Sequence, residues 1–326
     1  MARPMRCRFD QRIFDDIEQF GEHLSTQRIE PLQLSSGRLR LGFKSLRFED
    51  AVVMRLECNR VVSDRLHMDP AWLLLVVLLA PQRWGAKFAP AESLVVIAPG
   101  AEYRNRVSEG FRCVEAAVRL DLADKLGLAH LRHLKGKDAV IPMSPAAARR
   151  LEHRIDRLLD ASAATGAIAI DGVLAQILRQ GCLEILCSLR CVACSSTRCP
   201  PGSEISTPAH RWLVAEKAVQ TIEAAPIDRP PSVETLATTL GTTRRTLLNA
   251  FQEAFGTSPS RYILAKRLNG ARRSMNLGES HSVTDAALEY GFENFGRFAC
   301  YYRRLFGEAP SSTLFRAGKF GREVRN

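Results

Sequence analysis

Between Thr243 and Phe255 the chain places Arg244, Arg245, Leu248, Asn249 and Gln252 on one side of a helical period whose other side is Leu247, Phe251 and Phe255. Those types suit recognition of nucleic-acid bases. Arg matches guanine O6 and N7 with two parallel N–H donors, Asn pairs with adenine in the same bidentate way, and a Leu methyl can press a thymine methyl. A charged helix face is ordinarily just solvated, so its meaning depends on the element that carries it. The reactive side chains elsewhere form weaker patterns. Five of nine cysteines crowd into Cys182, Cys187, Cys191, Cys194 and Cys199, and Cys191-x-x-Cys194 has ligand spacing for zinc or thiol exchange. No second close pair or histidine stands at a suitable distance, and Cys182 falls on an apolar helical stripe, where a free thiol behaves as a small hydrophobe. Inert cysteines are the expectation. His67 is alone in a strand-rich stretch, with His23 before it, whereas a catalytic metal centre needs imidazoles and a carboxylate converging on one ion. Neither a phosphate-cradling glycine loop nor a nucleophile motif stands out. An enzyme, a cofactor and a metal ion are therefore not expected.

The elements that must position the 243–255 face occur twice. Ser232-Val233-Glu234-Thr235-Leu236-Ala237, Leu240-Gly241, Leu247, Phe251, Phe255-Gly256 and Pro259-Ser260 return as Ser282-Val283-Thr284-Asp285-Ala286-Ala287, Tyr290-Gly291, Phe298, Tyr302, Phe306-Gly307 and Pro310-Ser311. The offset is 50 up to the glycine and 51 beyond it. A repeat that survives a one-residue slip is a repeated supersecondary unit. Each copy opens on a Ser N-cap and breaks at a helix-ending glycine; Asp285 adds a capping-box-like acid. Short helix, glycine turn and second helix make a helix-turn-helix. Thr243 is placed to cap the first recognition helix. Between the units Ser258-Pro259 opens a long helix to about Leu277, with Tyr262, Ile263 and Leu268 packed and Lys266, Arg267, Arg272 and Arg273 on its polar side.

Residues 208–317 resemble the AraC/XylS class of bacterial transcription regulators, which join two such units by a long helix. The stretch from Gly291 to Phe298 and the stretch Tyr302-Arg303-Arg304-Leu305-Phe306-Gly307-Glu308-Ala309-Pro310-Ser311 look like that class's C-terminal signature. The wording Phe295-Gly296-Arg297-Phe298-Ala299 is closest to the subgroup similar to the ethanolamine-operon activator. The resemblance implies base-facing positions at Arg245, Leu248 and Asn249, and at Gly296, Ala299 and Cys300 flanked by Phe295 and Arg297. Thr243, Arg244, Arg303 and Arg304 are then phosphate contacts. Many members carry Arg where Cys300 stands. The second helix is accordingly expected to read little beyond Arg297 and an apolar touch from Phe295, and to anchor through phosphates and DNA shape. The class also implies an activator working with RNA polymerase on double-stranded DNA, a small-molecule effector of unknown identity, and a homodimer.

The rest of the chain reads as α+β. Period-two alternation over about 28–120 (Leu39, Leu41, Phe43; Val52, Met54, Leu56, Cys58; Leu94 to Ile97; Phe111 to Val114) suggests a sandwich or barrel. The resemblance makes it a cupin-like effector domain, with Phe43, Met54, Trp72 and Trp84 as candidate lining. Two helices follow over about 144–189. The second carries Val173, Leu174, Ile177, Leu178, Cys182, Ile185, Leu186 and Leu189 as a stripe that could face the sheet or a dimer partner. The expected division is 1–195 for effector binding and dimerisation, 196–207 as linker, 208–317 for DNA with units at about 232–256 and 282–307, and 318–326 as tail. The chain has 326 residues and a net charge of +11, about half of that excess in its last third, which suits a polyanion partner. The longest uninterrupted apolar run, Ala71 to Pro81, is too short for a bilayer, and Arg3, Arg6, Arg8 and Asp10 interrupt any signal core, so a cytoplasmic protein is expected. A thiol- or metal-switched regulator and a DNA-repair enzyme with an appended reader are the alternatives.

Overall fold

The computed structural model describes residues 5–85, 87–133, 139–196 and 206–323. Its N-terminal part holds β1 (Arg6–Phe14), α1 (Ile17–His23), β2 (Gln27–Gln33), β3 (Leu41–Arg47), β4 (Ala51–Cys58), β5 (Val62–Met68), β6 (Trp72–Leu78), β7 (Gln82–Trp84), β8 (Lys87–Ala89), β9 (Ser93–Ile97), β10 (Glu102–Val107), β11 (Phe111–Arg119), α2 (Leu120–Lys125), β12 (Ala139–Pro142), α3 (Pro145–Ala163), β13 (Ala169–Asp171) and α4 (Gly172–Ser196). These strands form two antiparallel sheets. The larger has the order β12-β9-β6-β11-β4-β3-β1-β13, the smaller β2-β5-β10-β7-β8. They stack as a sandwich, with α3 and α4 covering the outer face of the larger sheet.

The strand sequences explain the layering. In β11, Phe111, Cys113 and Ala117 face the second sheet, while Val114, Ala116 and Val118 face the helices. In β4, Met54 and Leu56 look inward and Val53 outward. Because its central strands are covered on both faces, they read as near-continuous apolar runs. Ala71 to Pro81 is one such run, and it becomes β6. Phe43, Met54 and Trp84 lie in the inter-sheet core; Trp72 is half-buried against it.

Helix α3 starts as its Ser144-Pro145 signal requires: Ser144 Oγ accepts from Ala147 N, and Leu151, Ile155 and Leu159 are buried. The apolar stripe of α4 divides. Leu178, Cys182, Ile185, Leu186 and Leu189 pack on the sheet, but Val173 (72% exposed), Leu174 and Ile177 (62%) do not. By length and composition Gly172–Ala193 could cross a bilayer, a candidate that the count of uninterrupted apolar residues overlooked. Its buried face is the sheet's cover, the usual role of an apolar core helix.

The C-terminal part is helical: α5 (Ser206–Ala224), α6 (Val233–Thr239), α7 (Arg244–Phe255), α8 (Pro259–Leu277), α9 (Val283–Glu289), α10 (Phe295–Phe306) and α11 (Pro310–Glu323). Residues 197–205, most of the expected linker, lie outside the described residues. The last helix runs on past residue 317 to Glu323. Two cores form. Trp212, Val219, Leu247, Phe251, Phe255 and Tyr262 build the first; Leu268, Met275, Phe298, Tyr302 and Phe306 build the second. Helix α8 contributes to both, so it fixes the two units relative to each other.

Candidate nucleic-acid interface

Each helix pair is built by local capping. Ser232 Oγ accepts from Thr235 N at 3.0 Å, and Ser282 Oγ accepts from Asp285 N at 3.0 Å. The turns pass through Gly241 (φ 60°) and Gly291 (φ 72°), left-handed positions that L side chains rarely adopt. Thr243 caps α7 by accepting from Thr246 N at 3.1 Å, and Asn294 Oδ1 caps α10 by accepting from Arg297 N at 2.9 Å. The one-residue slip of the repeat is absorbed between turn glycine and cap. It leaves Leu247 and Phe298 in the same fully buried position of their units.

The faces that remain are the expected ones. On α7, Arg244, Arg245, Asn249 and Gln252 are exposed with Thr243, and Leu248 is half-buried among them. Arg244 meets Glu234 of α6 at 2.9 Å, but both side chains are about two-thirds exposed, so this pair is worth little and is free to exchange for a phosphate. On α10, Phe295 (44% exposed), Gly296, Arg297, Cys300, Arg303 and Arg304 are exposed, with Ala299 half-buried. Residues 245, 248, 249 and 252 and residues 296, 299, 300 and 303 occupy equivalent stripes. The first carries long side chains, polar except for Leu248, and the second is small apart from Arg303.

Arg304 differs from the rest. Its carbonyl accepts from Gly37 N at 3.1 Å, and with Arg106 and Arg261 it lines a groove between the β sandwich and the helices. The polar side of α8 is also largely engaged within the protein. Arg267 donates to the carbonyls of Tyr290 (2.7 Å) and Gly291 and lies over the Phe292 ring. Arg272 is buried, with Nε 2.9 Å from Asp16 Oδ2 and Nη1 3.0 Å from Glu308 Oε1. The expected row of four cations along α8 is therefore not one solvated face. Two of them hold the structure together, because carboxylates and carbonyls from other elements reach them. Gln33 makes a second tie from the sandwich: its N donates to Asn269 Oδ1, it accepts from Asn269 Nδ2, and its Nε2 donates to the Leu305 carbonyl. Arg104 of β10 adds a third through Glu216 and Glu223 of α5. Sequence reasoning found none of these ties. They join residues more than a hundred positions apart, and no local pattern signals them.

The thiols give little reactivity. Burial pushes Cys182 up to about 12 and Cys7 and Cys58 up to about 11, which keeps them protonated. Cys187 is half-buried and Cys191 exposed; the Cys194 side chain and Cys199 lie outside the described residues.

Residues 236–316 match the family described as a helix-turn-helix domain. The XylDLEGF operon transcriptional activator of Pseudomonas putida is 42% identical over 101 residues, 30% of this chain and 31% of that protein. Over this stretch the chain carries a helix-turn-helix domain similar to the DNA-binding domains of AraC/XylS-type regulators. A solved structure titled "probable AraC family transcriptional regulator" from Rhodopseudomonas palustris is 39% identical, over 32% of this chain and 97% of that one, at a TM-score of 0.30. The DNA-binding domain of AdpA, solved in complex with a target DNA, is 26% identical over 35% of this chain and 97% of that one, also at 0.30. The match spans about a third of the length of the activators, so likeness to them covers the reading domain and not the β sandwich. These relatives are transcription regulators, not enzymes.

Proposed function

We propose that the whole chain is a sequence-specific transcription activator, responsive to a small effector, that binds double-stranded DNA through α7 and α10 in successive major grooves and works with RNA polymerase. The observation that carries this reading is the pair of capped helix-turn-helix units presenting equivalent exposed stripes on one rigid spacer helix. Arg245, Leu248 and Asn249 read bases in the first groove. Phe295, Gly296, Arg297 and Cys300 lie against the second, where contact is mainly to shape. Thr243, Arg244 and Arg303 hold phosphates, and Arg304 joins them only at the groove's inner edge. The AraC/XylS-type activator relatives support activation over repression. The Phe295–Ala299 wording supports the ethanolamine-operon-like subgroup as the finer placement.

The domain division follows from the same reading: 1–195 senses and dimerises, 208–317 reads DNA. The strand pattern and the hollow between the sheets support a cupin-like sensor role, and the uncovered Val173, Leu174 and Ile177 of α4 support a homodimer contact. The test is selection of genomic fragments on the purified protein, followed by anisotropy titration on the selected site. If about six phosphates are neutralised, log Kd rises with log salt with a slope near 5. Binding that is indifferent to both sequence and salt overturns the proposal.

A further inference from the structure

Glu115 of β11 and Asp64 of β5 project from opposite sheets into one cavity of about 70 Å³, roofed by Ile17 and Phe20 of α1. No Lys, Arg or His is among the described residues that line it. Glu115 Oε2, Asp64 Oδ1, Asn105 Oδ1 and Gln82 Oε1 have no hydrogen-bond partner there, and neither does the indole Nε1 of Trp84. Glu115, Asn105, Gln82 and Trp84 are each at least nine-tenths buried. Glu115 Oε1 accepts from the Cys113 thiol and Asp64 pairs with the Asn105 side chain, but four acceptor oxygens left over around one hollow are costly unless something pairs with them. Among the described residues no group of three ligating side chains could hold a metal ion. An organic cation satisfies the four acceptor oxygens, because carboxylate and amide oxygens accept hydrogen bonds and an ammonium group only donates them; the indole N–H of Trp84, itself a donor, stays outside that set.

We propose that this cavity binds a small organic cation, a primary ammonium or amidinium compound of roughly five to seven non-hydrogen atoms, with Glu115 and Asp64 as its acceptors. Trp84, Phe20 and Phe111 supply aromatic walls to its hydrocarbon and its charge. Burial pushes Glu115 up to about 7 and Asp64 up to about 6, so near pH 6 Glu115 is mostly protonated and Asp64 about half so. An entering cation favours the charged carboxylates, and the displaced protons leave to solvent.

The same site has a mechanical outlet. Helix α1, whose Ile17 and Phe20 close the cavity, starts at Asp16, and Asp16 accepts from Arg272 and Asn276 of α8. An occupant that moves α1 acts directly on the helix that spaces the two reading units. This consequence rests on the regulator reading; binding itself does not.

The test is calorimetric titration of the full chain at pH 6 with butylamine and 1,4-diaminobutane, against 1-butanol and butyrate, in two buffers of different ionisation enthalpy. The expected result is saturable binding of the amines with release of about one proton and no binding of the alcohol or the acid. Glu115→Gln and Asp64→Asn each weaken amine binding at least tenfold, while melting curves show the fold retained. Absence of amine binding, equal binding of 1-butanol, or binding that Glu115→Gln leaves unchanged overturns the proposal. Operator titration of the same protein without amine separates the two readings. Intact operator binding with no amine binding sinks the cavity assignment alone, and the reverse outcome sinks the regulator reading alone.

Discussion

Arg245 and Cys300 lie on equivalent stripes of their helices, one turn apart in register, yet only Arg245 can make strong directional contacts with a base edge. Arg245→Ala is expected to cost about 1–3 kcal/mol on the selected site and to relax preference at one base pair. Cys300→Ala should change affinity by less than twofold, because a thiol is a weak donor and Gly296 and Ala299 add no polar network. Anisotropy on a panel of single-base variants distinguishes the two; equal losses mean that α10 reads bases after all. The buried acids make a separate prediction about pH. Glu115, raised to about 7, binds its proton more tightly folded than unfolded, so it contributes stability that is present at low pH and disappears as pH rises from about 4.5 through 7. Glu18, also raised to about 7 by burial, adds to the same trend. Urea melts of the unliganded protein should therefore show stability falling between pH 5 and pH 8, less steeply in Glu115→Gln. An identical pH profile in wild type and variant would show that Glu115 is already ionised or solvated in the folded state.

At the scale of elements, the two helix pairs look interchangeable in sequence and are not so in packing. Gly241 and Gly291 both take left-handed turns, but a Cβ at Gly241 meets open space, whereas one at Gly291 would lie 2.4 Å from the Asp228 carbonyl oxygen. Gly241→Ala is expected to cost about 1–2 kcal/mol of backbone strain. Gly291→Ala adds a clash with main chain and should lower the melting temperature at least twice as far. Matching shifts would mean that the segment around Asp228 yields without cost. The contrast marks what a sequence displays. Caps, turn glycines, the Ser258-Pro259 start of α8 and the apolar faces of α7 and α10 were legible because each is a signal within about one helical turn. The 51-residue offset placed both recognition faces. Strand β1, its pairing with β13, and the partners of Arg267 and Arg272 were not legible. They depend on contacts between distant segments, and a charged residue in a helical period looks the same whether it faces water or a buried Asp16. The acid pair escaped for a similar reason: Asp64 and Glu115 are ordinary strand residues until two sheets stack them over one hollow.

For the whole molecule the question is how a signal from the sandwich could reach DNA. Among the ties that cross from it to the helices are Arg272 with Asp16, Asn269 with Gln33, and Arg104 with Glu216 and Glu223. The first two grip α8, the element on which the spacing of both reading units depends. A ligand can shift that spacing only if it favours one arrangement of these ties over another. Residues 206–326 expressed alone retain both helical cores and every exposed residue of the α7 and α10 stripes, so they should bind the selected operator with unchanged base preference. They lack the sandwich and the uncovered apolar turn of α4, so they should ignore any effector and lose the gain in affinity that the full chain shows on paired half-sites. The measurement is a titration of full chain and fragment on single and tandem sites, with and without ligand. A fragment that still responds to ligand would place the sensor among the helices. A fragment that keeps the tandem-site gain would move the dimer contact off α4 and into the DNA-reading half.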